Sequence, residues 1–319
     1  MTAAILIDAC VMCYESLAGE SPLDHAEGVQ GVTALPCTHA NHTACLKRWE
    51  RQQRTCPVCR AEFDRFLNPE QDDEDDSEED SDYEEEITPM EEAAAFGDDA
   101  EVARLLAAGA DVHASDDYAL IAATENGHDA VVARLLAAGA NVHAGGDGAI
   151  RVAASFGHDA VVARLLAAGA NVHAADDEAL CDAASRGHDA VVARLLDAGA
   201  DVHALDDEAL CLAALNGHDA VMARLLAAGA EVHACGDMPL RHAASRGHDA
   251  AVARLLAAGA DAHAGDDAPL FLAASRGHDA VVARLLAAGA NVHALDDAAL
   301  RIAADHGHDA VVARLRAAQ

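Results

Sequence analysis

The chain almost lacks lysine: Lys47 is the only one, and the other twenty basic residues are arginine. It is also poor in aromatic side chains, at 3% with a single tryptophan, so its 52% hydrophobic content rests on alanine, leucine and valine. Small apolar side chains of this kind let helices pack at close range. Positive charge is scarce, since 21 basic residues against 55 acidic ones leave a formal net charge of −34. That balance disfavours binding to a phosphate backbone, which needs surplus Lys and Arg to release counterions. It equally disfavours anionic membrane surfaces. No stretch approaches the ~20 apolar residues of a spanning helix, because Arg and His interrupt the alanine-rich segments every few positions. Met1 to Ala9 carry no positive n-region and too short an apolar run for a signal peptide. Neither nucleic acid nor membrane is expected as a partner, and the protein is expected inside the cell, in cytoplasm or nucleus.

Cysteine is present but unevenly placed. Six of the nine cysteines fall in or near tight pairs close to the N-terminus, with histidines between them. In a reducing compartment that layout points to metal ligation and not to disulfides. The remaining three, Cys181, Cys211 and Cys235, recur inside repeats and are expected to be small packing residues.

Composition divides the chain into three zones. Residues 1–69 hold all the clustered cysteines and the tryptophan. Residues 70–86 contain thirteen Asp or Glu and no basic residue, which predicts a self-repelling, solvated linker. From Ile87 to Gln319 the chain repeats with a period of 30, and "GHDAVVARLLAAGANVHA" recurs almost letter for letter. Each unit reads as two short helices. The second is predicted over about Ala130 to Ala138, with Val131, Val132, Leu135 and Leu136 on one stripe and Gly139 as its left-handed stop. The first is predicted to follow an aspartate at a fixed place (Asp117, Asp147, Asp177, Asp207, Asp237, Asp267, Asp297) whose carboxylate caps the first turn. Counting an atypical unit from Thr88, eight such pairs are expected.

These residues resemble ankyrin repeats over about 230 positions: Thr88-Pro89-Met90 keeps the threonine–proline opening, and the Ala-Ala, Gly-His, Val-Val, Leu-Leu and Gly-Ala elements recur in order. The resemblance implies an all-α solenoid that binds a protein on its concave face. The period of 30 is shorter than the usual 33 or so. The missing residues fall where the hairpin fingers would be, which predicts blunted fingers. Arg316 replaces the second leucine in the last unit, as suits a polar cap. Positions that vary while the rest repeats are candidates for the binding face: Ile121, Arg151, Phe271 and Arg301 at one phase, and Asn126, Phe156, Arg186, Arg246, Arg276 and His306 at another. A ladder of seven histidines, His113 to His293, stands where ankyrin has a loop-stabilising asparagine, and the same role is expected of it.

The first zone contains Cys10-Val-Met-Cys13, Cys37-Thr-His39, His42-Thr-Ala-Cys45 and Cys56-Pro-Val-Cys59. Eight S or N donors in four pairs satisfy two tetrahedral Zn²⁺ ions. So small a zone buries little apolar surface, and metal binding is expected to supply most of its folding free energy. The ligand order is similar to a RING finger of the two-histidine subtype, a small zinc-bound α+β fold with its core at 10–60. That resemblance implies interleaved sites: Cys10, Cys13, His42 and Cys45 on one zinc, and Cys37, His39, Cys56 and Cys59 on the other.

It further implies a ubiquitin ligase that docks a ubiquitin-charged conjugating enzyme through Met12, Trp49 and Pro57. Arg60 matches the linchpin that bridges the enzyme and its ubiquitin. Such a ligase positions its partners and forms no covalent ubiquitin intermediate of its own. A non-catalytic binding scaffold with a structural zinc finger is the alternative. A ligase with a single lysine offers few acceptors for its own ubiquitin, and self-modification is expected at Lys47 or the N-terminal amine. The alanine–aspartate–glycine excess also resembles ankyrin proteins of large DNA viruses of protists, which would place the chain in host cytoplasm.

Overall fold

The computed structural model describes residues 87–319, together with the strands Val32–Ala34 (β1) and Ala40–His42 (β2). The chain divides into two compact units, Met1–Tyr83 and Glu84–Gln319. In the second unit sixteen helices form eight consecutive pairs, as the resemblance implies. The first helices are α1 (Pro89–Phe96), α3 (Ala114–Glu125), α5 (Ala144–Phe156), α7 (Glu178–Arg186), α9 (Ala204–Asn216), α11 (Ala234–Arg246), α13 (Ala264–Ser275) and α15 (Ala294–Asp305). The second helices are α2 (Asp99–Ala107), α4 (Asp129–Ala137), α6 (Asp159–Ala167), α8 (Asp189–Asp197), α10 (Asp219–Ala227), α12 (Asp249–Ala257), α14 (Asp279–Ala287) and α16 (Asp309–Ala317). Each first helix packs on the first helix of the next pair, and second helices do the same.

The core follows from the repeat. In α6, Val161, Val162 and Leu165 are buried, facing Ala149, Ile150, Ala153 and Ala154 of α5. Each fully buried valine or leucine contributes about 1.5–3 kcal/mol, and the alanines let the helices approach. Leu136 and its equivalents are half-buried at the margin of this core. The first pair opens with a capping box: Thr88 Oγ1 accepts from the Glu91 N–H at 3.2 Å, and Glu91 Oε2 accepts from the Thr88 N–H at 2.9 Å. At the other end Arg316 is exposed, as expected of a polar cap, while Val311, Val312 and Leu315 face inward.

No strand occurs among residues 87–319. Where a hairpin finger would stand, three successive residues turn left-handed, as at Ser115, Asp116 and Asp117 (φ 49°, 53° and 61°). The fingers are therefore blunted. This turn corrects the capping role expected of the aspartates. Asp177 precedes α7 with φ 60°, and its side chain makes no capping bond. The carboxylates of this row instead reach across to the following repeat. Asp117 Oδ1 accepts from the Asn141 N–H at 2.8 Å, and Asp147, Asp177, Asp207, Asp237 and Asp267 repeat the contact at 2.6–2.9 Å. Each of these carboxylates also accepts from the Nδ1 of the histidine four residues earlier, at 2.9–3.2 Å from His113 to His263. The histidine ladder thus stabilises the loop, as expected. Left-handed L-residues cost roughly 1–2 kcal/mol each, less for Asp, which bonds locally. The buried carboxylate bonds offset that strain.

Two further ladders join neighbouring repeats. His188 of the Gly-His pair donates from Nε2 to the Ser155 carbonyl at 3.0 Å, and its ring lies on Gly157, where an added Cβ would stand 2.5 Å from the ring. Gly157 also has φ 77°, so both conformation and space require glycine there. On the second helices, Arg194 forms a bidentate pair with Asp159 of the preceding repeat at 2.6 Å, and the pattern runs from Arg134–Asp99 to Arg314–Asp279. The guanidinium beside Asp159 holds that carboxyl below its usual range.

Cys181 is buried, and Cys211 is half-buried in the same row. Burial pushes both thiols up to about 12, so they are packing residues and not nucleophiles. Cys235 departs from that expectation. It stands exposed in a left-handed turn, at φ 48°.

Candidate functional site

The first candidate is the metal-binding zone. β1 and β2 pair antiparallel, with Val32 opposite His42, Thr33 opposite Asn41 and Ala34 opposite Ala40. The chain between them, residues 35–39, includes Cys37 and His39, and His42 closes β2. Of the expected ligands, the described hairpin includes only the backbone of His42, opposite Val32. Apart from the backbone of His42, the expected ligands Cys10, Cys13, Cys37, His39, Cys45, Cys56 and Cys59 lie outside the described residues. So do Met12, Trp49, Pro57, Arg60, Lys47 and the acidic segment 70–86. The donor chemistry fits zinc: thiolates and imidazoles, four per ion, with no carboxylate required. Among the described residues no cluster of three or more His, Cys, Asp or Glu could hold a metal ion.

The second candidate is the face of the first helices. The five later members of the expected second phase, together with Asn126, are all exposed at the helix ends. Asn126 Nδ2 donates to the Ala122 carbonyl at 2.9 Å within its own helix. Phe156 is 45% exposed, stacks on His158 and carries the Arg186 guanidinium 5.4 Å above its ring. Arg276 Nη1 donates to the Ser245 carbonyl at 3.0 Å, beside Arg246, and His306 Nδ1 donates to the Ser275 carbonyl at 2.7 Å, beside Arg276. Those bonds set Arg246, Arg276 and His306 side by side on successive repeats.

The first phase lies deeper. Ile121 and Phe271 are half-buried, Arg151 pairs with Glu178, and Arg301 is exposed. Sequence reasoning passed over Arg241, which occupies the same phase. Beside it, His242 is pushed down to about 4 by burial and by the charges of Arg241 and Arg246. Neighbouring positive charge was the signal for this corner. Arg241 and Arg246 both lie on α11, near enough to His242 for their charges to act on it.

Comparison with known proteins finds two families in the chain. The ankyrin-repeat family matches as three copies, over residues 90–176, 180–266 and 240–318. The family described as RING-H2 zinc finger domain matches residues 8–60. The zinc-finger region is 36% identical over 64 residues to E3 ubiquitin-protein ligase DZIP3 of Mus musculus, covering 20% of this chain and 4% of that protein. The Homo sapiens DZIP3 is 38% identical over 53 residues, covering 17% and 4%. RING finger protein 145 of Danio rerio is 31% identical over 62 residues, covering 19% and 7%. The chain thus spans well under a tenth of the length of the curated relatives it matches. Among solved structures, the human ASB11 ankyrin repeat domain superposes with a TM-score of 0.57 at 27% identity, covering 64% of this chain and 99% of that one. Among the described residues no helix is long and apolar enough to cross a membrane.

Proposed function

Because the chain belongs to the ankyrin-repeat family and also carries a match to the RING-H2 zinc finger at residues 8–60, we propose that it is a RING-type ubiquitin ligase. In this reading the finger recruits a ubiquitin-charged conjugating enzyme, the repeats hold a protein substrate, and the acidic segment 70–86 is a solvated tether between them. The observation that carries the proposal is the presence of ligase-type docking residues around the ligands. Met12 precedes Cys13, Trp49 follows Cys45 by four positions, Pro57 follows Cys56, and Arg60 follows Cys59.

Cys10, Cys13, His42 and Cys45 would hold one zinc, and Cys37, His39, Cys56 and Cys59 a second. Bound zinc supplies folding free energy and a fixed shape here, and no open coordination position for hydrolysis. Chemistry occurs on the partner. A substrate lysine amine attacks the thioester carbonyl on the conjugating enzyme, an amide bond forms, and the enzyme's cysteine leaves as thiolate. This chain contributes positioning: Met12, Trp49 and Pro57 grip the enzyme, and Arg60 bridges it to ubiquitin so that the thioester is held ready for attack.

The test is discharge of ubiquitin from a charged conjugating enzyme onto free lysine, using the full chain. Trp49→Ala and Arg60→Ala are each expected to abolish the stimulation. Wild-type protein no better than these variants across a panel of conjugating enzymes would favour a non-catalytic scaffold. In the same assay, self-modification is expected at Lys47 or the N-terminal amine alone.

A further inference from the structure

Acidic residues outnumber basic ones 34 to 15 over residues 87–319, so an arginine without a carboxylate partner is the exception there. Nine of the fifteen arginines sit in ion pairs with Asp or Glu. Of the other six, Arg186 covers the Phe156 ring and Arg316 lies on the terminal cap. The remaining four are Arg241, Arg246, Arg276 and Arg301. All four fall on three consecutive first helices or directly after one: Arg241 and Arg246 on α11, Arg276 as the C-cap of α13, and Arg301 on α15.

The same face changes sign along the array. Between residues 118 and 216 the first helices carry Glu125, Glu178, Asp182 and Glu208 against Arg151 and Arg186. Between 238 and 246, 268 and 276, and 298 and 306 they carry the four arginines and His306 against Asp305 alone. The turn carboxylates Asp266 and Asp296 stand at the opposite ends of these helices from Arg276 and His306. Half-buried Phe271 occupies the deeper phase between Arg241 and Arg301 on neighbouring repeats. Such a corner is an anion-seeking strip with one apolar patch, on a molecule that otherwise repels anions.

We propose that the first-helix face of α11, α13 and α15 docks an acidic, extended protein segment, whose carboxylates pair with Arg241, Arg246, Arg276 and Arg301 while an apolar side chain covers Phe271. This deepens the reading of the repeats as the substrate-holding part and assigns that substrate a chemical class. Guanidiniums suit the role because their planar forks accept carboxylates bidentately. Charge complementarity of this kind also suppresses wrong partners, and the surrounding acidic surface adds repulsion against acidic segments docked elsewhere.

The experiment uses the full chain and a short fluorescein-labelled peptide of glutamates with one central leucine, read by fluorescence anisotropy. Wild-type protein is expected to capture it with an affinity that falls as NaCl rises. Arg246→Glu with Arg276→Glu is expected to weaken capture by about tenfold or more, and the paired glutamine substitutions by less. Arg316→Glu makes a charge change of the same kind off the strip and is expected to leave capture unchanged, with thermal melts confirming that all variants fold. The proposal is overturned if wild-type protein does not bind, if Arg316→Glu weakens binding as much as the double variant per charge changed, or if an oligonucleotide is captured equally well. Because the readout is binding and not transfer, failure of the ligase reading leaves it intact. Ubiquitin discharge without peptide capture overturns this inference alone.

Discussion

The two ends of this chain store their folding information differently. In residues 8–60 the proposed zinc reading concentrates it in eight donor side chains, so replacing one ligand would remove a quarter of a metal site. In residues 87–319 it is spread over a unit written eight times, where each repeat is held by the next through the same few contacts. The carboxylate staple, the Gly-His stack and the Arg–Asp fork each recur at nearly constant distance along the array. A metal-dependent module switches as a unit with its ion, whereas a solenoid is stabilised by the sum of neighbour terms. The contrast predicts that the two regions fail independently.

The largest expected effect is the clearest break between them. A zinc chelator, or Cys56→Ser, should reduce ubiquitin discharge to the rate of the conjugating enzyme alone while leaving the helical melting curve of the array in place. Loss of the array's melting transition on chelation would show the regions to be coupled. A smaller effect probes the solenoid. Gly157→Ala must adopt φ 77° and press its Cβ against His188. It should cost about 2–4 kcal/mol of array stability and leave discharge untouched. Adding His188→Ala should recover part of the loss, and absence of any recovery would place the cost in the backbone alone.

The smallest effect is a pH dependence within the basic corner. His242 titrates near 4 in the folded chain against a usual 6.5, with burial the chief cause and Arg241 and Arg246 adding to it. Between those values the unfolded chain binds the extra proton. Stability is therefore fully present above about pH 6.5 and is lost as pH falls toward 4, by roughly 1 kcal/mol per pH unit. Urea melts at pH 7 and pH 5 should show a smaller stability difference for His242→Leu than for wild type. Equal differences would mean that His242 does not carry the effect.

Much was legible from residues alone, and the reasons are local. Two-helix units, the left-handed stop at Gly139 and the polar exit at Arg316 follow from 3.6-residue periodicity and glycine's freedom at positive φ. The zinc-finger family match followed from ligand spacing, since pairs of donors one to two residues apart have few other uses. From its place before a helix, Asp177 reads as a cap. The residue is left-handed, however, and its carboxylate is drawn to the Asp201 N–H at 2.9 Å. Nothing in a linear pattern distinguishes a carboxylate serving its own helix from one serving a backbone group 24 positions later.

What the sequence by itself determined is therefore the unit: which residues form helices, where each stops, and how many units there are. What tertiary structure alone decided is who faces whom between units. Arg194 meets Asp159 of the preceding repeat, and not Asp189 five residues before it in its own helix. Arg246 meets no carboxylate. Helical periodicity is set by the backbone within a few residues, whereas charge pairing depends on the rotation and rise from one repeat to the next. Only once the repeats are stacked do the arginines separate into those that hold the array together and those left facing outward.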